Sequence, residues 1–346
     1  MKVETNSKAN VHSIRRRVLG AGAGTMLLGG IGAFGALGAL SAGNAGAQVL
    51  PRTLRIVVAY PAGGVGDVIA RALADKLAVQ LGCAVIVENR AGASGTIGMD
   101  AVAKAAPDGA TLGFSAISPL VLSPHLGKVP YDPRKDVLPV ASVMISPVVL
   151  LATTATATRN FQTLLEDARA RPGAVRWATS GQASLGHIML EQLRVDGKFD
   201  VTHVPYKGGG QQINDAISGQ FEILSINAGP LMTPFIQSGK LRPLAVGAPA
   251  RLESLPQVPT LAELGFPAAN MSSRFGFFAP AGTPDLLVTR YNIEINKALA
   301  SPDVRARLMG TGNVPTGGSA SDFADAIAAE YEADGRIIRA AAIKAD

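Results

Sequence analysis

Apolar runs alternate with segments of helical spacing along most of the chain. Leu54–Tyr60 is an apolar, β-branched run that predicts a strand, and in Asp67–Leu81 the apolar residues recur at helical spacing. Ala84–Glu88, Thr96–Ala106 and Thr111–Ser115 continue the alternation as strand, helix and strand. This order predicts a parallel sheet that is covered by helices on both faces.

A second alternation begins after residue 155. Its predicted helices are Asn160–Ala170, Leu185–Val195 and Gln211–Ser218, and its predicted strands are Val175–Thr179, Val201–Tyr206, Phe221–Ile226 and Leu241–Val246. The apolar segments Leu138–Ala152 and Phe275–Ala279 are suited to strands that cross between the two halves, and Pro284–Ala300 and Ser321–Ile338 are predicted as closing helices. The pattern predicts two α/β lobes, with 48–152 and 271–346 in lobe 1 and 153–270 in lobe 2.

The first 47 residues have the pattern of an export signal. Arg15-Arg16-Arg17-Val18-Leu19 fits the twin-arginine pattern, and the apolar stretch that follows is rich in Gly and Ala. Ala45-Gly46-Ala47 fits a small-residue cleavage site, so we expect a mature periplasmic chain that begins at Gln48. A permanent membrane anchor is the alternative, which the many glycines disfavour.

The composition and charge of the chain argue against a nucleic-acid partner. Hydrophobic residues make up 47% of the chain and charged residues 17%, which is typical of a globular protein. Residues 1–47 hold five Lys or Arg and one acid, so most of the net charge of +6 lies there and only +2 remains on the rest. With that charge and 5% aromatic residues, we expect no nucleic-acid partner.

Four predicted strand-to-helix turns are rich in Gly or Ser. They are Pro61–Gly66, Arg90–Gly95, Ser180–Ser184 and Lys207–Gly210. Ligands in open α/β sheets bind at the carboxyl ends of strands, where the unpaired N–H groups of the next helix attract an anion. Two such turns facing each other can hold a carboxylate without Lys or Arg. Asp67 is predicted as a helix N-cap, and whether it also contacts ligand-bound water is left undecided by the sequence.

Nucleotide binding and catalysis fit the spacing poorly. Gly64-Val65-Gly66 supplies two glycines of a dinucleotide fingerprint, but the third position is Ile69, although Glu88 imitates the ribose-binding acid. Ser184 and His187 are three residues apart without a nucleophile-elbow motif, so His187 is predicted to be structural. No pair of histidines has metal-ligand spacing. We expect no enzyme activity, no cofactor and no metal.

Seven stretches together carry a specific resemblance. They are LRIVVAYPAGGVGD (54–67), VIVENRAGASGTIG (85–98), AVAKAAPDGATL (101–112), THVPYKGG (202–209), SGKLRPLAVG (238–247), LPQVPTLAELGFP (255–267) and FGFFAPAGTP (275–284). In these stretches the chain resembles the extracytoplasmic receptors of the tripartite tricarboxylate transporters, the Bug-type solute receptors. The resemblance implies a type II periplasmic-binding-protein fold, in which two α/β lobes joined by crossing strands close on a small organic anion.

The resemblance also implies the ligand-binding residues. In that family the turns after the first two strands grip one ligand carboxylate, partly through bound waters, which here assigns Pro61–Asp67 and Arg90–Gly95. The contribution of the second lobe falls on Ser180–Ser184. The predicted ligand-binding residues are Ala62, Gly63, Gly64, Asp67, Ala93, Ser94, Gly95, Ser118, Ser180, Ser184, Asn227 and Arg274.

Three departures from the family pattern bear on the ligand. Ala62 stands where the family commonly has Pro, and Ser225-Ile226 stand where it has Phe-Asp before the Asn. Arg274 stands where it commonly has an aromatic residue. Loss of an acid and gain of a cation both favour anions. Arg274 either contacts a second carboxylate of the ligand or lies on the solvated rim.

The expected function is that of a periplasmic receptor. It captures a small organic carboxylate, as a monomer, and delivers it to the permease subunits of a tripartite tricarboxylate-type transporter. One alternative is a sensory receptor that reports the same ligand to a membrane kinase or regulator. Another is an exported cofactor-binding oxidoreductase, because the twin-arginine route carries folded proteins.

Overall fold

A computed structural model describes residues 50–343 of the chain. The predicted export signal and its cleavage site therefore lie outside the described residues. Within that range, no helix combines the length and the apolar character that a membrane span requires.

Ten strands form one continuous, mixed sheet in the described range. They are β1 (Thr53–Val58), β2 (Ala84–Asn89), β3 (Thr111–Ala116), β4 (Val137–Ala152), β5 (Arg176–Thr179), β6 (Thr202–Pro205), β7 (Ile223–Asn227), β8 (Arg242–Gly247), β9 (Ser272–Pro280) and β10 (Val314–Pro315).

Eleven α-helices accompany these strands between residues 50 and 343. They are α1 (Val65–Leu81), α2 (Thr96–Ala103), α3 (Ser118–Val121), α4 (Ser123–Leu126), α5 (Phe161–Ala170), α6 (Leu185–Gly197), α7 (Gly209–Ile217), α8 (Thr233–Gln237), α9 (Asp285–Leu299), α10 (Pro302–Gly310) and α11 (Ala320–Ala340).

The first half of the sheet has the strand order β2-β1-β3-β9-β4. β1 pairs in parallel with β2 and β3, because α1 and α2 carry the chain back across the sheet between them. β9 then pairs antiparallel with both β3 and β4. The three parallel strands are those predicted from the βαβαβ pattern.

The second half repeats this arrangement with β5, β6 and β7. β5 pairs in parallel with β6 and β7, while β4 pairs antiparallel with β7 and β8. β4 belongs to both halves: its residues 137–147 pair with β9, and its residues 148–152 pair with β7 and β8. The crossing role predicted for Leu138–Ala152 follows from this change of partner.

Apolar layers are buried in both halves of the molecule, and one of these layers contains residues of both halves. In the first half, Leu73 and Leu77 of α1 pack with Tyr291 and Ile295 of α9, and all four are fully buried. Full burial of one such side chain contributes about 1.5–3 kcal/mol. In the second half, Trp177 is fully buried on β5. These layers hold the N-terminal ends of the helices at the carboxyl edge of the sheet.

Four short helices were absent from the prediction: α3, α4, α8 and α10. Each begins with Pro at its first or second position, and they have four, four, five and nine residues. Segments this short carry too few apolar repeats to show a helical period. The lobe limits 48–152, 153–270 and 271–346 remain a prediction, although the partner change on β4 comes five residues before the first limit.

Candidate ligand-binding site

A cavity lies between the carboxyl ends of the strands of the two halves. The space open to the centres of water-sized molecules is about 70 Å³. Three strand-to-helix turns supply much of its wall: the α1 turn (residues 60–66), the α6 turn (residues 180–184) and the α7 turn (residues 206–209). The segment from Ser225 to Met232 and residues of β9 close the remaining sides.

The α1 turn presents a helix start that has no side-chain cap. Gly64 is the N-cap, with extended backbone, and it has no side chain to accept from the first N–H groups of α1. Gly63 before it has a φ of 81°, which glycine adopts without strain. Gly64, Val65 and Gly66 line the cavity, so the N-terminal end of α1 lies at the ligand space.

Asp67 is not the N-cap that the sequence predicted. It lies in the first turn of α1 and reaches backward, where its carboxylate accepts from the Gly63 N–H at 2.9 Å. Arg71 Nε and Asn89 Nδ2 donate to its other oxygen, both at 2.9 Å. Burial raises the pKa of Asp67, but the hydrogen bonds from Arg71, Gly63 and Asn89 outweigh it and hold the pKa below its ordinary value. The carboxylate therefore stabilises the turn.

The α6 turn faces the α1 turn and is built from neutral groups. Ser184 is the N-cap of α6, and its hydroxyl accepts from the His187 N–H at 3.3 Å. Gly181 and Ala183 have φ values of 130° and 58°, and for Ala183 this conformation is strained. Ser180, Ser184 and Leu185 line the cavity.

Two stacked histidines support the α6 turn from below. The rings of His187 and His203 have centroids 4.5 Å apart. His203 Nε2 lies 2.7 Å from the Thr179 hydroxyl, which also accepts from the Gly181 N–H at 3.2 Å. His187 Nδ1 accepts from the Ala183 N–H at 3.3 Å. The structural role predicted for His187 agrees with this arrangement.

The two halves contact each other directly across the cavity. The Ser94 hydroxyl, from the turn after β2, donates to the Gln182 carbonyl of the α6 turn. A Cβ added to Gly208 would lie 2.4 Å from Cδ of Pro61, so the α7 turn is in contact with the α1 turn. The two halves therefore touch each other at the cavity.

No acidic or basic side chain lines this cavity among the described residues. Its polar groups are the hydroxyls of Ser94, Ser118, Ser180, Ser184, Ser225, Ser273 and Tyr60, with the amide of Asn227. Burial raises the pKa of Tyr60 to about 12, so its hydroxyl stays protonated. The N-terminal ends of α1, α6 and α7 give the wall positive potential without any fixed charge.

A comparison with protein families identifies the chain. The sequence profile of the family described as "Tripartite tricarboxylate transporter family receptor" matches residues 69–343. The chain belongs to this family. It is similar to the protein BugT of Bordetella pertussis (strain Tohama I), with 37% identity over 266 residues that cover 76% of this chain and 81% of BugT.

Solved structures of similar proteins share the fold of this receptor. An R. palustris protein solved with adipate has a TM-score of 0.80 and 31% identity, over 85% of this chain and 99% of that one. MatC from Rhodopseudomonas palustris, with bound malate, has a TM-score of 0.78 and 29% identity, over 83% of this chain and 99% of MatC. Similar proteins include a periplasmic transporter and a periplasmic binding protein, so the predicted binding-protein fold is confirmed and a periplasmic location is supported.

The structure brings half of the predicted site residues of this receptor together. Gly64, Ser94, Ser118, Ser180, Ser184 and Asn227 line the cavity. Five others lie in the same turns but outside its wall, namely Ala62, Gly63, Asp67, Ala93 and Gly95. Among them, the Gly63 N–H donates to the Asp67 carboxylate, and this hydrogen bond stabilises the α1 turn.

Arg274 lies away from the cavity, which corrects the expectation that it reaches the ligand. Its guanidinium donates to Glu330 of α11 at 2.9 Å. Its neighbours Ser273 and Phe275 line the cavity instead. Successive side chains on a strand point to opposite faces, so a residue between two cavity-lining positions of β9 points away from the cavity.

The sequence prediction missed several lining residues. These are chiefly Tyr60, Ser225, Ser273, Phe275 and the segment Gly229–Met232. Ser273 could have been found from strand alternation, but the predicted strand began at Phe275 and left the preceding residues outside it. The Gly229–Met232 segment contains a Gly-Pro turn signal, but its sequence does not distinguish a loop that lines a cavity from an ordinary loop.

Proposed function

We propose that this receptor captures a small organic carboxylate between its two halves and delivers it to a tripartite tricarboxylate-type membrane transporter. The cavity wall is the observation that carries the proposal. It combines three helix N-terminal ends with hydroxyl groups, and no acidic side chain among the described residues opposes an anion there. Such N–H groups and dipoles stabilise carboxylates. The relatives solved with adipate and malate support the same ligand chemistry.

The proposal gives the site residues distinct roles. Gly64 brings the uncapped start of α1 to one ligand carboxylate, partly through bound water. Ser94, Ser118, Ser180, Ser184 and Asn227 supply polar contacts, while Ala62, Gly63, Asp67, Ala93 and Gly95 hold the turns in shape. The lobes that close on the ligand are residues 48–152 with 271–346, and residues 153–270.

A binding assay with matched neutral analogues tests the ligand class. Malate, succinate and adipate are compared with succinamide and adipamide by thermal shift and calorimetry. A carboxylate at one hundred times its Kd stabilises the folded protein by about 2.7 kcal/mol, which raises the melting temperature by several degrees. The diamides carry no charge and are expected to cause no shift. Equal shifts with diamides and diacids would contradict anion recognition.

Delivery to a permease makes a separate prediction. The receptor is expected to act as a monomer that docks, with its ligand bound, on the permease subunits. Reconstituted permease should accumulate labelled carboxylate only when the receptor is added. Uptake that is equal with and without the receptor would leave a sensory role as the better explanation.

Export supplies the last part of the proposal. Arg15 and Arg16 are proposed to direct twin-arginine export, with cleavage before Gln48 and release into the periplasm. Changing both arginines to Lys should leave the precursor in the cytoplasm, as fractionation and immunoblotting would show. The N-terminal sequence of the exported protein checks the cleavage site. Normal periplasmic levels in the double variant, with the general secretory route blocked, would contradict the assignment.

A further inference from the structure

The side-chain amide of Asn227 has a fixed orientation at the cavity wall. Its Nδ2 donates to the backbone carbonyl of Ser146 at 3.1 Å and to the Ser273 hydroxyl oxygen at 2.9 Å. A carbonyl only accepts hydrogen bonds, so the nitrogen of the amide must face Ser146. Both amide hydrogens are then used, and Oδ1 is the polar atom of Asn227 that remains.

Oδ1 of Asn227 remains available as an acceptor. Asn227 lines the cavity, and no group in residues 50–343 donates a hydrogen bond to this oxygen. It is also absent from the buried atoms that lack a partner, so it stays within reach of a ligand or water. An acceptor placed at a binding cavity favours a ligand atom that donates.

Ser273 places a donor beside this acceptor. Its oxygen already accepts from Asn227, and no acceptor in the described part of the chain receives its own hydrogen. Its hydroxyl can therefore donate toward the cavity. A ligand hydroxyl fits this pair, since one O–H group can donate to Asn227 and accept from Ser273 at the same time.

An ammonium group fits the same position less well. It could donate to Asn227, but no Asp or Glu among the described residues lines the cavity to neutralise its charge. The carboxylate of Asp67 is engaged by Gly63, Arg71 and Asn89 in the turn outside the wall. Removing an unpaired charge from water carries a large free-energy cost. A ligand without any donor would leave the Asn227 oxygen unpaired when it displaced water.

The pair formed by Asn227 Oδ1 and the Ser273 hydroxyl lies close to helix N-terminal ends of the second half. Asn227 ends β7, and the two residues before it contact the first turns of α6 and α7. A Cβ added to Gly186 of α6 would lie 2.8 Å from Ser225 Oγ. A Cβ added to Gly209 of α7 would lie 3.1 Å from Ile226 Cδ1. A carboxylate held at these N–H groups would therefore have its substituted carbon near Asn227.

We infer that Asn227 and Ser273 select a hydroxycarboxylate over the amino and unsubstituted carboxylates of the same carbon skeleton. This inference rests on the proposed function, because it assumes that a carboxylate occupies the cavity. It makes Asn227 and Ser273 the residues that determine which carboxylates the receptor takes.

Calorimetry with matched ligand trios tests the selection. L-malate, succinate and L-aspartate carry a hydroxyl, a hydrogen and an ammonium on the same four-carbon skeleton, and L-lactate, propionate and L-alanine repeat the series with one carboxylate. At least one trio is expected to show the hydroxy acid binding about ten- to thirty-fold tighter than its two analogues, since two neutral hydrogen bonds are at stake. Equal binding of the hydroxy acid and its two analogues in every trio that binds would overturn the inference and leave the proposed function standing. Failure of all six ligands would also overturn the inference, and failure of the adipate and citrate controls as well would overturn the proposed function.

Substitutions locate the selection at the two residues. Asn227→Leu removes the acceptor, so the preference for the hydroxy acid should fall to about twofold while succinate or propionate loses less than the hydroxy acid does. Ser273→Ala removes the donor and gives a second variant if the first fails to fold. Ser218→Ala, on an exposed serine that bonds only within its own helix end, is the control and should keep the preference. A preference that survives both Asn227→Leu and Ser273→Ala would overturn the inference.

Discussion

The α1 turn and the α6 turn occupy equivalent places on the two sides of the cavity, but they are stabilised differently. Each follows a parallel strand and starts a helix. The α1 turn is held by a charged network, in which Asp67 binds Gly63, Arg71 and Asn89. The α6 turn has no charged residue of its own and is supported by the Thr179 hydroxyl and the stacked rings of His187 and His203.

The difference bears on how the ligand is held. The α1 turn keeps its helix start uncapped, because Gly64 has no side chain, and the Asp67 charge is compensated by Arg71 behind the turn. The α6 turn already uses the Ser184 hydroxyl as a cap and contains a strained Ala183. We therefore expect the first turn to be the stronger anion site, and the second to depend more on its packing and on closure.

Separating the two halves should have the largest effect. Gly208→Ala adds a Cβ 2.4 Å from the Pro61 ring, at a φ of 150° that disfavours a side chain, so closure is blocked. We expect affinity for the best carboxylate of the panel to fall about a hundred-fold in calorimetry, which is about 2.7 kcal/mol. Gly239→Ala is the control, because its φ of 74° is also strained but no atom lies within 4 Å. If both variants bind alike, closure at Pro61 does not control affinity.

Breaking the charged network should have the next largest effect. Asp67→Asn puts an amide nitrogen among three donors, so the free energy of unfolding should fall by about 1–3 kcal/mol and affinity by about tenfold. Asp303→Asn removes an exposed carboxylate that pairs with Lys76, and should leave the free energy of unfolding nearly unchanged, because water screens exposed ion pairs. Urea unfolding of both variants gives the comparison.

The same network predicts a pH dependence. The folded-state pKa of Asp67 lies below its ordinary value of 3.8, because hydrogen bonds outweigh burial. Its contribution to stability is then present above pH 3.8 and is lost as the pH falls through the lower folded-state pKa. The stability gap between the wild type and Asp67→Asn should therefore narrow in acid. A gap that stays constant from pH 7 to pH 2 would show that the charge of Asp67 is not its source.

Loosening the neutral turn should have a smaller effect. Thr179→Val keeps the shape of the side chain but removes the hydroxyl that contacts Gly181 and His203, so affinity should fall about three- to ten-fold and stability by about 1–2 kcal/mol. Thr179→Ser retains the hydroxyl and should retain most of the affinity. A larger loss for Thr179→Val than for Asp67→Asn would reverse the ranking of the two turns.

Arg274→Ala should have the smallest effect on binding. The guanidinium pairs with Glu330 on the far side of β9, so ligand affinity should change by less than about twofold. Burial raises the pKa of Glu330, and Arg274 opposes this, so the variant should raise that pKa further. A ten-fold loss of affinity in calorimetry, larger for diacids than for monoacids, would show that the side chain does reach the ligand in solution.

The sequence by itself determined the longer elements and the family of this receptor. Alternating apolar runs and helical spacing are local signals, so β1, α1, β2 and β3 were predicted with limits within a few residues. Glycine and serine turns before helices are local signals too, which is why Gly64, Ser180 and Ser184 were found. The seven matching stretches indicated the receptor family before any contact was known.

Only the tertiary structure decided which of these residues face the cavity. Asp67 has the residue type of a cap, yet α1 begins two residues before it, and Arg71 and Asn89 of β2 hold its carboxylate as a support for the turn. Arg274 has the charge of a ligand clamp, yet strand alternation and Glu330 hold it on the opposite face. Which partner a polar side chain binds depends on packing between segments far apart in sequence, and local pattern carries no information about that packing.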